Sequence, residues 1–487
     1  MSCSKHTLKA QAAVLDASSG RFEENIDWLA SIIHPTPAYQ RLFRDTWGCN
    51  RPPFVEEEVL RDENNRANVK VPQKTWAFLD STMHSRFFQR LRTRPFIRRE
   101  YEQALSDILQ AVMTGNENIT VGDEEEPEEG GLGEEFEEHT DSASLDTSAT
   151  SGKHVREERS DADGRESKKQ HLQDTGTSSD LGEQAMTIDC LVDQKPAEYS
   201  NPFLVRYKDS KAASKVKGFI ITGHPGIGKT IFLYYVLLLR LQASQPTILV
   251  THPERVIVFL RRGPFSIPMA DFEDAMQVIP TTAWCLVDAN ESLETVPETI
   301  FNTPFFILQA ALPKRQHLQW ANKTIGILQY VMKPFSLSEL IIGRNRSLDV
   351  SKTLSEESLQ EYYRRYTPSA RFTYQHAGNL DKYTKFVQGL LHQLTDGRLK
   401  NLIGAFPLNV DSVGEQILYH VLTVTAKAGS QRSIPEIDIS SHHLSQLIQL
   451  QSSSATVVGC CVLGFNLHAA GYGWRVDDLD VDWSPGL

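Results

Sequence analysis

Cysteine is scarce in this chain: six of its 487 residues are cysteines, and they are scattered. None of them forms a Cys-x-x-Cys pair or stands near a histidine at the spacing of a zinc site. The sequence therefore argues against a disulfide framework and against a structural zinc site. Cysteine used in this way is typical of a reducing compartment.

Long hydrophobic runs are also missing. The most apolar stretch, IFLYYVLLLRL at 231–241, is shorter than the roughly 20 residues of a membrane-spanning helix, and it contains Arg240. The first residues, MSCSKHTLKAQAAVLDASSG, include no apolar segment of signal-peptide length. We therefore expect an intracellular protein, in the cytoplasm or the nucleus, that has no membrane partner.

Positive charge is in the minority, with 50 Lys and Arg against 62 Asp and Glu and a net charge of −12. This balance argues against nucleic-acid binding over the whole surface. A local basic stretch at 86–99 is interpreted as a solvated helix face with charge pairs four residues apart. A docking surface for phosphate, nucleic acid or a protein partner is the alternative. The stretch contains Arg86, Arg90, Arg92, Arg94, Arg98 and Arg99.

Changes in composition divide the chain into five predicted regions. Residues 1–114 are predicted to be a mostly helical N-terminal region. Residues 115–186 are acidic and then Ser-rich, with almost no large apolar side chains, which predicts a disordered linker between two folded parts. Residues 187–345 are predicted to form an α/β core. Residues 346–450 are predicted to form a helical lid, and residues 451–487 an irregular tail.

Residues 187–345 alternate short apolar runs with helical patterns, which predicts an α/β fold. Several runs are apolar on both faces, as expected for parallel strands covered by helices. The prediction is a three-layer sandwich with a parallel sheet. The predicted strands are 219–222, 247–250, 255–260, 284–288, 305–312 and 326–332.

The stretch GHPGIGKT at 223–230 matches the phosphate-loop pattern, between a predicted strand and a predicted helix. Its glycines let successive N–H groups turn inward toward phosphate oxygens, and the dipole of the following helix favours the same anion. Lys229 supplies a charge for the β- and γ-phosphates, and Thr230 a hydroxyl for Mg²⁺. The predicted nucleotide-binding residues are Gly223, His224, Pro225, Gly226, Ile227, Gly228, Lys229 and Thr230.

The strand AWCLVD ends at Asp288, which is predicted to support Mg²⁺ together with Thr230. In many ATPases with an additional strand, a Glu directly after this Asp polarises the attacking water. Here the next residue is Ala289, and Glu291 is the nearest carboxylate that could reach from a loop. The sequence thus predicts binding more firmly than hydrolysis.

Three further side chains are candidates for contacts with the γ-phosphate. Gln309 is the polar residue of the strand FFILQAAL, a position that often senses the γ-phosphate. Arg315 and Arg371 could each stabilise developing negative charge. For each arginine, an ordinary surface position is the alternative.

Other phosphate-loop classes fit this sequence less well. A GTPase needs Asn-Lys-x-Asp, and the one Asn-Lys pair, Asn322 and Lys323, lacks the Asp. No LSGGQ-like signature of a transporter ATPase is present. The expected ligands are therefore ATP and Mg²⁺.

Several blocks together resemble the phosphate-loop ATPase domain of fungal proteins related to the Crinkler and retrotransposon hot-spot families. They are GFIITGHPGIGKTIFLYYVLLLRL, TILVTHPERVIVFL, WCLVDAN, FFILQAALPKRQHLQW and YVMKPFSLSELI, within about residues 190–400. The resemblance implies an additional-strand ATPase sheet and a helical lid, with 223–230 holding the triphosphate and Asp288 supporting Mg²⁺. The lid stretch YTPSAR lacks the paired glycines common in relatives. No Asp…Glu-x-Lys arrangement after residue 400 supports a nuclease domain.

The sequence as a whole predicts an ATP-binding P-loop NTPase whose slow hydrolysis works as a conformational switch. A nucleotide-binding scaffold without turnover and a nucleic-acid-associated effector-like ATPase are the alternatives.

Overall fold

Short runs of β-branched and aromatic residues between 218 and 331 form a seven-stranded sheet in the computed structural model. Its strands are β3 (Gly218–Thr222), β4 (Thr247–His252), β5 (Arg255–Leu260), β6 (Gly263–Pro268), β7 (Trp284–Asp288), β8 (Phe306–Ala310) and β9 (Ile327–Val331).

The structure describes residues 37–62, 69–79, 95–114, 200–205, 215–289, 292–318, 320–321, 325–344, 354–366, 369–393, 417, 419–427, 430 and 432–451. The predicted linker at 115–186 lies outside these residues, as does the predicted tail after Gln451.

The strand order is β6-β5-β4-β7-β8-β3-β9. Five strands form a parallel part of the sheet, in the order β4, β7, β8, β3 and β9. Each of them pairs in parallel with the next. Strand β8 lies between β3, which leads into the phosphate loop, and β7, which ends at Asp288. This is the additional strand that the resemblance implies, and the fold is the predicted α/β fold of P-loop NTPases.

The sheet is not parallel throughout, because β5 and β6 run antiparallel to their neighbours. Only two residues separate β4 from β5, and two separate β5 from β6. Connections this short can join only antiparallel strands, since a parallel crossover needs a dozen or more residues. Strand β6, with the sequence GPFSIP, is absent from the sequence prediction because its glycine and prolines are unfavourable in strands.

Helices cover both faces of the sheet. One face buries Phe219, Ile221 and Leu286 against α4 (Lys229–Gln242), which follows the phosphate loop. The other face buries Ile220 and Val287 under shorter helices. These are α5 (Phe272–Met276), α6 (Glu298–Phe301) and α7 (Arg315–Leu318), with α3 (Pro202–Val205) lying before β3 in the chain.

Helix α4 contains the most apolar stretch of the chain, and it is buried almost throughout. Its Arg240 is 2% exposed, and the guanidinium donates to the Pro246 and Thr282 carbonyls and lies 4.7 Å from the ring centroid of Trp284. Within the described part of the chain, every helix is too short or too polar to span a bilayer.

The N-terminal region differs from the prediction in two ways. It contains α1 (Pro37–Thr46) and α2 (Arg99–Thr114), but also an antiparallel hairpin of β1 (Phe54–Glu58) and β2 (Lys74–Phe78), so KTWAF is a strand and not a helix. Its described residues also do not form a folded part separate from the sheet. Leu42, Phe78 and Tyr101 belong to the same buried cluster as the sheet residue Phe219, because α2 packs its apolar face on α4.

The predicted helical lid is helical only in part. Helices α9 (Glu356–Arg365), α10 (Ala370–His376), α11 (Leu380–Leu391) and α12 (His442–Gln451) surround a third buried cluster. Helix α8 (Leu337–Arg344), which lies within the predicted core, packs on the same cluster. An antiparallel hairpin of β10 (Leu422–Ala426) and β11 (Pro435–Ile439) completes it. The prediction that residues 346–450 are helical is therefore wrong at this hairpin. The segment LTVTA is rich in β-branched residues, and eight residues separate it from its partner strand β11.

Candidate phosphate-binding site

The phosphate loop occupies the turn between β3 and α4. Gly223, Gly226 and Gly228 have φ angles of 137°, 79° and 90°, a region that other residues avoid. A Cβ at Gly228 would overlap the hydroxyl of Tyr101, and a Cβ at Gly226 would overlap the hydroxyl of Ser369. Glycine is thus required here by the backbone and by its neighbours.

Lys229 folds back over the loop. Its Nζ donates to the carbonyl oxygens of Gly223 and His224, each at 2.8 Å. An ammonium group has three donors, so one is left for a phosphate oxygen. Burial, and then the charge of Arg371, lower the pKa of Lys229 to about 7, while Asp288 acts in the opposite direction. A bound anion would restore the full charge of this amine.

Thr230 and Asp288 stand 58 residues apart in the sequence and meet in the fold: Thr230 Oγ1 donates to Asp288 Oδ1 at 2.9 Å. Burial raises the pKa of Asp288 to about 6, although the Thr230 hydrogen bond and the Lys229 charge lower it. A hydroxyl beside a carboxylate suits Mg²⁺, which usually combines one or two carboxylates with water and substrate phosphates. Among the described residues no group of three or more His, Cys, Asp and Glu could hold a metal ion.

The residue after Asp288 is unsuited to activating water. Ala289 is 8% exposed and belongs to the buried cluster on one face of the sheet, and its N–H donates to the Ala310 carbonyl at 2.9 Å. The predicted alternative, Glu291, lies outside the described residues and stays a prediction.

Gln309 is placed differently from the prediction. Its side chain is fully buried, its Nε2 donates to the His317 carbonyl at 3.2 Å, and its Oε1 accepts from Trp320 Nε1 at 2.5 Å. Both ends of the amide are therefore engaged inside the protein. The structure does not place Gln309 as a γ-phosphate contact. The side chain of Gln309 instead connects β8 to the segment that follows it, through hydrogen bonds.

Replacing Gln309 by leucine is expected to lower the free energy of unfolding by about 1–3 kcal/mol, because the Trp320 N–H loses its buried partner. The affinity for ATP should stay within about twofold of the wild-type value. Urea unfolding and ATP titration of the same preparation measure both quantities. A large loss of ATP affinity with unchanged stability would restore the predicted sensing role.

The two candidate arginines differ in what the structure describes. Arg315 begins α7, and four residues separate it from the strand that carries Gln309; its side chain is not among the described ones. Arg371 lies in the first turn of α10 beside the loop, since a Cβ at Gly226 would stand 2.9 Å from the Arg371 Cβ. Its charge also lowers the pKa of Lys229. The fold thus brings Arg371 to the loop.

His224 is fully buried within the loop. Burial, with smaller contributions from the charges of Lys229 and His420, lowers the pKa of His224 to about 3. The imidazole is therefore neutral at neutral pH and adds no charge to the site.

Three side chains outside the motif hold the loop, and the sequence analysis does not identify them in this role. Arg98 Nη1 donates to the Ile227 carbonyl at 2.8 Å, Tyr101 Oη to the Gly228 carbonyl at 3.1 Å, and Ser369 Oγ to the Pro225 carbonyl at 2.9 Å. Arg98 is 1% exposed, so the interpretation of the basic stretch as a solvated face is wrong at this residue. Arg99 is exposed, and residues 80–94 lie outside the described part.

Comparison with known proteins gives limited matches. No protein-family model matches the chain. No curated protein matches it either. The chain is similar to the solved structure of the Thermotoga maritima RuvB Holliday junction branch migration motor, with 12% identity and a TM-score of 0.27, over 50% of this chain and 89% of that chain. A variant of the same RuvB is similar at 11% identity and a TM-score of 0.28, with the same coverage.

TM-scores this low support no conclusion about what the chain does. The strand order, the additional strand β8 and the glycine conformations of the loop are features of this chain itself. They define the α/β fold of P-loop NTPases, with the loop at the end of β3 and Asp288 at the end of β7.

Proposed function

We propose that the chain binds ATP with Mg²⁺ at residues 223–230 and hydrolyses it slowly, as a conformational switch. The observation that carries the proposal is the Thr230–Asp288 hydrogen bond beside the folded-back amine of Lys229. Thr230 and Asp288 would hold Mg²⁺, which neutralises charge on the phosphates. Lys229 would bind the β- and γ-phosphates. Adenine is favoured by the missing guanine motif and by the resemblance to the Crinkler and retrotransposon hot-spot families, which stays an expectation from the sequence.

Three further residues are proposed to act during hydrolysis: Arg371, Arg315 and Glu291. Arg371 lies beside the loop and would stabilise charge that develops on the γ-phosphate, and Arg315 is the second candidate for this role. Glu291 would orient the attacking water from its loop. The lid residue Ser369 already contacts the loop through the Pro225 carbonyl, so a ligand that displaces the loop would also displace the lid. This contact supports the proposed switch.

A second candidate function is a nucleotide-binding scaffold without turnover. Ala289 favours it, because the residue next to the magnesium aspartate is apolar, buried and bound through its backbone to β8. The two functions share the binding step and differ only in phosphate release.

Binding and turnover can be tested on the full chain. Labelled ATP should bind more tightly with Mg²⁺ than with a chelator, and phosphate release at saturating ATP should fall at least tenfold in Asp288→Asn. The exposed Asp271 provides the matched control, Asp271→Asn. If ATP does not bind, the proposed function is wrong. If ATP binds but wild type and Asp288→Asn release phosphate equally slowly, the protein is a scaffold.

A further inference from the structure

We propose that Arg98 is a positioning residue for the phosphate loop, with Tyr101 and Ser369 as its partners. The inference rests on the proposed function, because it concerns how the loop is shaped for a polyphosphate ligand. Together the three side chains form an outer brace, which holds carbonyl oxygens of the loop from the side away from its N–H groups.

The argument begins with the planarity of the peptide unit. In a trans peptide the carbonyl and the next N–H point in opposite directions, and the plane is stiff. A donor that holds the Ile227 carbonyl therefore also fixes the direction of the Gly228 N–H. In the same way, Tyr101 at the Gly228 carbonyl helps to fix the Lys229 N–H, together with the Phe232 N–H, which donates to the same carbonyl at 3.0 Å.

Ser369 does the same for a third peptide unit, because its hydroxyl holds the Pro225 carbonyl and so fixes the Gly226 N–H. Inward-pointing N–H groups are what a phosphate nest consists of. Glycine alone does not set these directions, since it allows many backbone conformations. The outer brace supplies the constraint that the glycines of the loop lack.

Arg98 is the dominant member of the outer brace, since its guanidinium is engaged on every side. Besides Ile227, it donates to the carbonyls of Lys333 at 3.2 Å and Pro334 at 2.8 Å. It also makes a two-point contact with the Glu339 carboxylate, at 3.0 and 2.9 Å. The fork geometry of arginine permits this set of contacts, whereas the point charge of lysine does not.

The segment that follows β9 provides the contacts of the Arg98 guanidinium. The ring of Phe335 lies under the guanidinium, with 3.9 Å from the arginine Cζ to the ring centroid. Ser336 and Glu339 form a capping box at the start of α8: Ser336 N–H donates to Glu339 Oε2 at 2.9 Å, and Glu339 N–H to Ser336 Oγ at 3.2 Å. The capping box thus orients the carboxylate that binds Arg98.

The test measures the affinity of the full chain for inorganic triphosphate with Mg²⁺, which probes the loop without the base. Arg98→Met is expected to weaken binding by about tenfold to a hundredfold, and Arg98→Lys by nearly as much, because charge alone does not hold the carbonyl. The neighbouring exposed residue gives the matched control: Arg99→Met should bind like wild type. Tyr101→Phe, which loses one hydroxyl, should weaken binding about threefold to tenfold.

Unfolding in urea is measured on the same variants. Triphosphate affinity that stays at the wild-type value in folded Arg98→Met and Tyr101→Phe would overturn the inference, even if stability falls. If Arg98→Met does not fold, Tyr101→Phe and Ser369→Ala decide the question in the same way. If wild type binds neither ATP nor triphosphate, it is the proposed function that fails.

Discussion

Replacing Lys229 by alanine is expected to weaken Mg-ATP binding about a hundredfold. A hydrogen bond from a charged donor contributes about 1.5–3 kcal/mol, and each 1.4 kcal/mol corresponds to about tenfold in affinity. The ligand-free protein should remain as stable as wild type within about 1 kcal/mol. The reason is that two losses offset: the Gly223 and His224 carbonyls lose a donor, but a buried charge whose pKa is lowered to about 7 also disappears.

The matched control is Lys217→Ala, which removes an exposed lysine directly before β3, the strand that leads into the loop. Titration with labelled ATP in the presence of Mg²⁺ gives both affinities, and urea unfolding shows that both variants are folded. Equal ATP affinity in wild type and Lys229→Ala would mean that residues 223–230 do not bind the phosphates. An equal loss in the two variants would indicate a nonspecific charge effect.

The loop and the aspartate that meets it, Asp288, could be predicted because each depends on local sequence. GHPGIGKT places its glycines, Lys229 and Thr230 within one turn, and Asp288 ends a strand whose apolar residues are contiguous. The side chains of Thr230 and Asp288 are then brought together by the parallel arrangement of β3, β8 and β7, whose carboxyl ends lie at one edge of the sheet.

The outer brace could not be predicted, because it is made of contacts to backbone carbonyls. Any loop residue has a carbonyl, so nothing in GHPGIGKT specifies that Arg98 and Tyr101, well over a hundred residues earlier, will bind it. The same limitation explains Gln309: its position in β8 is evident from sequence, but its partner Trp320 is set by the segment that follows. The hairpins were missed because strand pairing depends on partners that local periodicity does not reveal.

A second network joins the N-terminal region to the lid around Glu356, which is 1% exposed at the start of α9. Arg61 contacts both carboxylate oxygens, at 2.7 and 2.8 Å, and Arg344 donates to one of them at 3.1 Å. The Asp62 N–H donates to Glu356 Oε1 at 3.0 Å, and the Glu356 N–H returns a bond to Asp62 Oδ2 at 2.7 Å. The carboxylate is therefore compensated from three directions.

Replacing Glu356 by glutamine is expected to lower the free energy of unfolding at pH 7 by about 3 kcal/mol. The buried Arg344 guanidinium would keep only its ion pair with Asp62, at 2.9 Å, and Arg61 would lose the carboxylate that it contacts. The next residue offers a matched control. Glu357 is exposed in the same first turn of α9, so Glu357→Gln removes the same charge from the helix terminus and should cost less than about 0.5 kcal/mol.

The pH dependence separates charge from packing in this network. Burial acts to raise the pKa of Glu356. Hydrogen bonds from Arg61 and from the Asp62 N–H, together with the charges of Arg61 and Arg344, outweigh it and hold the pKa below its ordinary value of 4.5. A lowered pKa stabilises the fold fully above that ordinary value, and the contribution is lost as pH falls through the folded-state pKa. Urea unfolding should therefore show a difference between wild type and Glu356→Gln that is large at pH 7 and shrinks below about pH 4.5. This is because protonated Glu356 comes to resemble glutamine. If the stability difference between wild type and Glu356→Gln were the same at pH 7 and at low pH, Glu356 would act through packing. If the two proteins were equally stable at pH 7, the ion pairs around Glu356 would not stabilise the fold.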